Sequence, residues 1–146
     1  MERVELEGPK LSVSAVGFGC TGLMRTPSRK ERMAVLGSAV DSGITHFDIA
    51  RSYGLGQAEA ELGKFLHTVK RDAVTVATRF GIDTVGAARR LGRFQAPARA
   101  LLQKAPALGR AVKRHEAAFE TARSYDAVVA ARSLDQSLAA LSVDYG

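Results

Sequence analysis

The sequence has little cysteine, histidine or proline and no tryptophan: one Cys, three His and four Pro in 146 residues. The lone thiol, Cys20, cannot close an internal disulfide, so the chain reads as one from a reducing compartment, the cytoplasm. The histidines are scattered and no CxxC or HExxH occurs, which leaves no metal-ligand set. No apolar run approaches the roughly 20 residues of a membrane-spanning helix. The first seven residues, Met-Glu-Arg-Val-Glu-Leu-Glu, alternate acidic and apolar side chains and read as neither a secretory nor a transit peptide. What is present is ordinary for a folded chain: 46% hydrophobic, 25% charged, mean hydropathy −0.05. That excludes a largely disordered or collagen-like chain, and the length suits one domain over 1–146.

Acid is missing from one stretch in particular. Residues 84–115 hold six Arg and two Lys without a single Asp or Glu, within a net charge of +6. A basic block of this kind raises nucleic acid or an anionic membrane as partner. Only Phe94 interleaves with its charges, too few aromatic platforms for bases to stack on, which argues against nucleic acid.

Alternation marks the start of the fold. Val4 and Leu6, a Gly8-Pro9 turn, then Leu11, Val13 and Ala15 read as a β-hairpin. Val16 to Gly19 reads as a buried strand meeting a loop. Ser28-Arg29-Lys30-Glu31 fits a capping box, opening a helix whose buried stripe is Met33, Leu36, Gly37 and Val40 and which Gly43 stops. Ile44 to Ile49 is strand-like, with Phe47 and Ile49 on one side and His46 and Asp48 on the other. A second helix carries Ala58, Leu62, Phe65 and Leu66, and Ala73 to Phe80 forms the next strand. Strand and helix in alternation predict an α/β fold with a parallel sheet. Residues 82–124 break the rhythm and read as two or three short basic helices, interrupted at Pro97 and Pro106. The rhythm returns with Ala131, Leu134, Leu138 and Leu141 on one helical face, and Val143 to Gly146 begins something strand-like.

Gly17-Phe18-Gly19-Cys20-Thr21-Gly22 matches G-x-G-x-x-G after a strand, the pattern of a Rossmann dinucleotide site. There the helix starts within the glycines, so that its amino terminus faces the pyrophosphate. Here Leu23 to Pro27 intervene before the cap at Ser28, which disfavours that reading. A tight turn explains the glycines equally well.

Asp48-Ile49-Ala50-Arg51-Ser52-Tyr53-Gly54 is more specific. It puts an acid at the end of a strand and a tyrosine five residues on, in a glycine-bearing loop. With Leu11–Met24, Gly43–Phe47, the Gly56–Leu66 helix, Val76–Gly81 and Ser133–Leu138 before Leu141–Tyr145, the order of motifs resembles the aldo-keto reductases. The resemblance covers nearly the whole chain outside 82–124.

The resemblance implies a partial (β/α)8 TIM barrel: a hairpin, three βα units and the start of strand 4, with a helical insertion at about 82–124. It implies NADPH-linked reduction of a small aldehyde or ketone. Asp48 and Tyr53 stand where the family has its aspartate and its proton-donating tyrosine, and Arg79 stands where it has a lysine. Arginine keeps the charge but spreads it over a planar fork. Gly19, Cys20, Thr21 and Asp48 would line the nicotinamide, although Cys20 also reads as a small buried hydrophobe. His46, His67 and His115 do not match the family's catalytic histidine, expected at the end of strand 4, nor are its pyrophosphate and adenosine loops among these residues. Activity would therefore be impaired. The basic insertion would be a lid or a surface elaboration, and open sheet edges would invite self-association. The alternative is a catalytically inactive association module.

Overall fold

A computed structural model describes residues 1–8, 11–84, 120–123 and 125–144. The chain opens with β1 (Arg3–Leu6) and β2 (Leu11–Ser14), paired antiparallel as the alternation predicts. The hairpin is tied to the residue that precedes the second of the strands beyond it: Ser14 N–H donates to Thr45 Oγ1 at 3.0 Å and Thr45 N–H to Ser14 Oγ at 2.9 Å. A three-stranded parallel sheet comes next, in the order β3 (Gly17–Gly19), β4 (His46–Asp48), β5 (Thr75–Ala77). Helices α1 (Arg29–Asp41) and α2 (Ala58–Leu66) connect these strands, and α3 (Ala127–Leu141) follows β5. This is α/β architecture consistent with part of a barrel, as expected.

Local signals placed α1 well. Ser28 Oγ accepts from Glu31 N–H while the Glu31 carboxylate accepts from Ser28 N–H, so both halves of the capping box form. The Ser28 hydroxyl, which also donates to the Glu31 carboxylate at 2.7 Å, and then the Ser28 N–H hold that carboxyl below its ordinary range. Gly43 follows the C-cap residue Ser42 at φ +85°, where the helix was expected to stop. The buried stripe differs from expectation. Arg32, Leu36 and Ala39 are buried, whereas Met33, Gly37 and Val40 are only half-buried.

The reason is an ion cluster between α1 and α2. Buried Glu61 accepts from Arg32 Nε at 2.9 Å and from Lys64 Nζ at 2.7 Å, with Arg29 Nη2 at 3.6 Å. Arg32 Nη1 also donates to the carbonyl of Thr26 at 2.8 Å, so its charge is well compensated despite burial. Burial pushes the Glu61 carboxyl up, but the hydrogen bonds from Lys64 and Arg32 outweigh it and hold the group below its ordinary range. A carboxyl depressed in the folded state stabilises above its unfolded pKa of about 4.3, and that contribution is lost as pH falls through the folded value. Glu61→Gln is therefore expected to cost about 3 kcal/mol at neutral pH, by leaving buried Arg32 uncompensated. The cost should shrink below about pH 4. Denaturant titrations at neutral and acid pH measure both.

The core lies between the sheet and the helices. Phe47 is fully buried at its centre, with Phe18 at 5.8 Å and Phe65 at 6.1 Å between ring centroids. Leu36, Ile49, Leu62, Leu66, Val74 and Leu141 surround it. α3 lies along α2 so closely that a Cβ on Gly63 would sit 2.5 Å from the Leu141 carbonyl oxygen. Backbone cannot yield there as a side chain could. Gly63→Ala should lower stability by about 3 kcal/mol, read as a shift in the denaturation midpoint.

Three expectations are corrected. α3 buries Ser133, Ser137 and Leu141, not the stripe Ala131, Leu134, Leu138 and Leu141. Ala131 and Leu134 are exposed and Leu138 half-buried, because small residues sit where the helix comes close to its neighbours. Second, the ends of the 82–124 segment are not helical: β6 (Ile82–Thr84) pairs antiparallel with β7 (Glu120–Arg123). The short basic helices expected between them lie outside the described residues. Third, β5 is shorter than the Ala73–Phe80 run, since Thr78 leaves the sheet to hydrogen-bond Glu59. Val143 and Asp144 follow α3 without strand pairing, and Tyr145 and Gly146 lie outside the described residues.

Candidate active site

Parallel pairing aligns the carboxyl ends of the strands. Gly19 of β3 stands opposite Asp48 of β4, which stands opposite Ala77 of β5. Loops leaving these ends therefore converge on one edge of the sheet. Two residues beyond Ala77, Arg79 turns back to Asp48: its Nη2 lies 2.6 Å from Oδ1 and is also bonded to Oδ2. Arg79 is largely exposed and Asp48 about one-third exposed, so the pair is reachable from solvent. The Asp48 bonds and charge, and then the charge of Tyr53 when ionised, raise the Arg79 guanidinium further above its ordinary range. The cation is permanent at any working pH.

Tyr53 reaches this place through a tight turn. Its N–H donates to the Ala50 carbonyl at 3.0 Å, and a short 3-10 segment, Tyr53–Gly56, follows. Gly54 adopts φ +59° there, and a Cβ on it would lie 2.2 Å from Met24 Cγ. Only glycine lets the turn sit against the 3-10 segment Cys20–Arg25. Tyr53 itself is half-buried against the core. The turn is braced further by buried Arg51, whose Nη2 donates to Gln136 Oε1 on α3. Below it, Thr78 Oγ1 donates to Glu59 Oε1 at 2.9 Å, fixing the exit of β5 to the first turn of α2. The Glu59 carboxylate and the Arg51 guanidinium are both buried, and sequence reasoning missed them as braces because charged residues read as surface. The position of Glu59 in the first helical turn, where an acid is favoured, was the available signal.

At the end of β3, Gly19 and Thr21 are exposed and no heavy atom lies within 4 Å of a Cβ built on Gly19. Cys20 differs: it is fully buried, and burial followed by the Asp48 charge pushes its thiol up to about 12. A buried thiol held in its neutral form is a poor nucleophile. His46 turns from the site to Thr75, with its Nδ1 2.9 Å from Thr75 Oγ1. His67 is exposed at the end of α2. His115 lies outside the described residues. Among the described residues no cluster of His, Cys, Asp and Glu could hold a metal. No described helix is long and apolar enough to cross a membrane.

Comparison with known proteins gives the family. The sequence matches the family model for the aldo/keto reductase family over residues 15–145. It is 43% identical over 74 residues to a D-threo-aldose 1-dehydrogenase of Pseudomonas sp, a match covering 49% of this chain and 22% of that one. It is 42% identical over 76 residues to the aldo-keto reductase yakc [NADP(+)] of Schizosaccharomyces pombe, again 49% of this chain and 22% of the relative. The matched region thus spans about a fifth of the length of these curated relatives. Among solved structures, an aldo-keto reductase from Bacillus halodurans in its holo form superposes with TM-score 0.67 at 20% identity. That match covers 99% of this chain and 38% of the other. A glycerol dehydrogenase of Gluconobacter oxydans gives TM-score 0.66 at 20% identity, over 97% and 36%. The chain belongs to the aldo/keto reductase family of oxidoreductases.

Proposed function

We propose that Asp48, Tyr53 and Arg79 form the proton-donating part of a site that reduces a small aldehyde or ketone with NADPH. The observation that carries this reading is the Asp48–Arg79 pair at the aligned strand ends, with Tyr53 near enough for its charge to act on the guanidinium. When bound, the reduced nicotinamide supplies hydride to the carbonyl carbon. Tyr53 would give its proton to the carbonyl oxygen, completing the alcohol. A phenol of ordinary pKa near 10 donates more readily when a cation stabilises the phenolate it leaves behind. Arg79 supplies that cation and Asp48 fixes its position.

The described residues suit the nicotinamide end of the cofactor. Open space at Gly19, the exposed Thr21 and the accessible Asp48 carboxylate would hold a carboxamide-bearing ring.

Turnover tests the reading, with this chain joined to the remainder of the Bacillus halodurans relative. NADPH oxidation that depends on an added aldehyde supports it, and a folded joined protein without such oxidation contradicts it. The chain by itself is expected to show none, because no described histidine stands beside Tyr53. Arg79→Lys in the joined protein should raise kcat about tenfold, by concentrating the charge near the phenol. An unchanged or lower kcat would mean that the site is matched to the guanidinium.

A further inference from the structure

We propose that Glu59 is a positioning residue: through Thr78 it sets where the Arg79 cation stands relative to the segment that carries Tyr53. This role rests on the proton-donating reading above and adds to it a buried side chain that acts only through its neighbour.

Adjacent residues hold the two ends of one segment. Thr78 Oγ1 donates to Glu59 Oε1 at 2.9 Å, and Arg79 Nη2 donates to Asp48 Oδ1 at 2.6 Å. Asp48 and Glu59 bound the stretch 48–59, and Tyr53 lies near its middle. The two bonds therefore close a ring through the Tyr53 turn, with the Thr78-Arg79 peptide as its clasp. Neither bond does this alone. The Arg79 side chain is long and largely exposed, so Asp48 fixes only its tip. Thr78 fixes the backbone from which that side chain springs.

Something other than the sheet has to hold this backbone. The pairing of β4 with β5 ends where Ile49 N–H donates to the Ala77 carbonyl at 2.9 Å. Thr78 and Arg79 lie beyond β5, and Gly81 follows at φ +102° before β6. Glu59 is suited to the task by where it stands. It is 2% exposed and sits in the first turn of α2, which Leu62, Phe65 and Leu66 anchor in the core. That turn is continuous with the Tyr53 turn, where Gln57 N–H donates to the Gly54 carbonyl at 3.2 Å. One anchored element thus carries the tyrosine loop covalently and grips the arginine loop by a hydrogen bond. An apolar side chain would fill the space of Glu59 without the cost of burying a carboxyl, but its contacts have no preferred direction. A cation stabilises a developing phenolate only from a held position, and a displacement of about 1 Å costs on the order of 10²-fold in rate.

Thr78→Val removes the donor and keeps the shape. In the joined protein it should lower kcat about tenfold or more, while KM for the aldehyde stays within about twofold. Thr78→Ser returns the hydroxyl and should restore kcat. Glu59→Leu removes the hold from the other side, and the double variant should lose no more than either alone. NMR of the Arg79 guanidinium in this chain, assigned by difference from Arg79→Lys, reads the position without reference to turnover. Its protons should exchange with solvent about tenfold faster in Thr78→Val and Glu59→Leu, and at the parent rate in Thr78→Ser. Unchanged exchange in both variants overturns the proposal, whatever the rates. So does faster exchange with an unchanged kcat, or a loss of kcat that Thr78→Ser does not reverse. A parent joined protein without turnover would contradict the proposed reaction, and the exchange rates would still decide whether Glu59 positions Arg79.

Discussion

Tyr53→Phe is expected to lower kcat of the joined protein by about a thousandfold, the usual range for loss of a general acid being roughly 10²–10⁴. The substitution removes one oxygen and leaves the half-buried ring that packs against the core. Stability should therefore hold, and NADPH should bind as before. What is lost is the proton for the carbonyl oxygen, so hydride transfer would have to leave an uncompensated alkoxide. Water can reach the site, because Arg79 and Asp48 are both accessible, and would account for residual turnover. Steady-state rates with one aldehyde, together with a cofactor-binding titration, separate these effects. A Tyr53→Phe protein that turns over at the parent rate would remove Tyr53 from the chemistry.

The second large effect concerns the floor beneath the site. Phe47→Ala should destabilise the chain by about 4 kcal/mol. Phe47 precedes Asp48 on β4 and is wholly buried between Phe18 and Phe65. Its removal deletes the ring contacts and leaves a cavity where β3, β4 and α2 meet. A loss of that size is a large fraction of the stability of a small domain. The expected result in equilibrium denaturation is a strongly lowered midpoint, or a chain that no longer folds. A change under about 1 kcal/mol would mean that neighbouring side chains refill the space.

Local chemistry made much of this fold legible. The hairpin, the Ser28 capping box and the two faces of β4 follow from alternation, a cap and period two. Each depends on neighbours in sequence. Expectation and structure part where distant residues decide. Arg32 enters the buried face of α1 because Glu61, 29 residues on, receives it, and no helical pattern announces such a partner. Ser133 and Ser137 displace an apolar stripe as the buried face of α3 because Gly63 admits the backbone of Leu141. Periodicity assigns Leu134 to the core, whereas the helix turns it outward.

The candidate site divides in the same way. Asp48 and Tyr53 share one turn and could be picked out together. The pairing of Asp48 with Arg79 joins residues 31 apart and is set by the parallel register of β4 and β5. Spacing alone could not supply it; the resemblance implied the position, and the register explains the contact. The braces Arg51–Gln136 and Thr78–Glu59 were invisible, since each buries a polar group against an element far along the chain.

The central claim is that this sheet edge delivers a proton from Tyr53 to a carbonyl that takes hydride from a reduced nicotinamide. Following an isotope tests it most directly. The joined protein is given an aldehyde and NADPH deuterated at its reactive carbon, and the alcohol is analysed by mass spectrometry. The account predicts one deuterium per alcohol formed, with product falling about a thousandfold in Tyr53→Phe. Alcohol without deuterium, or labelled alcohol formed equally well by Tyr53→Phe, would contradict it.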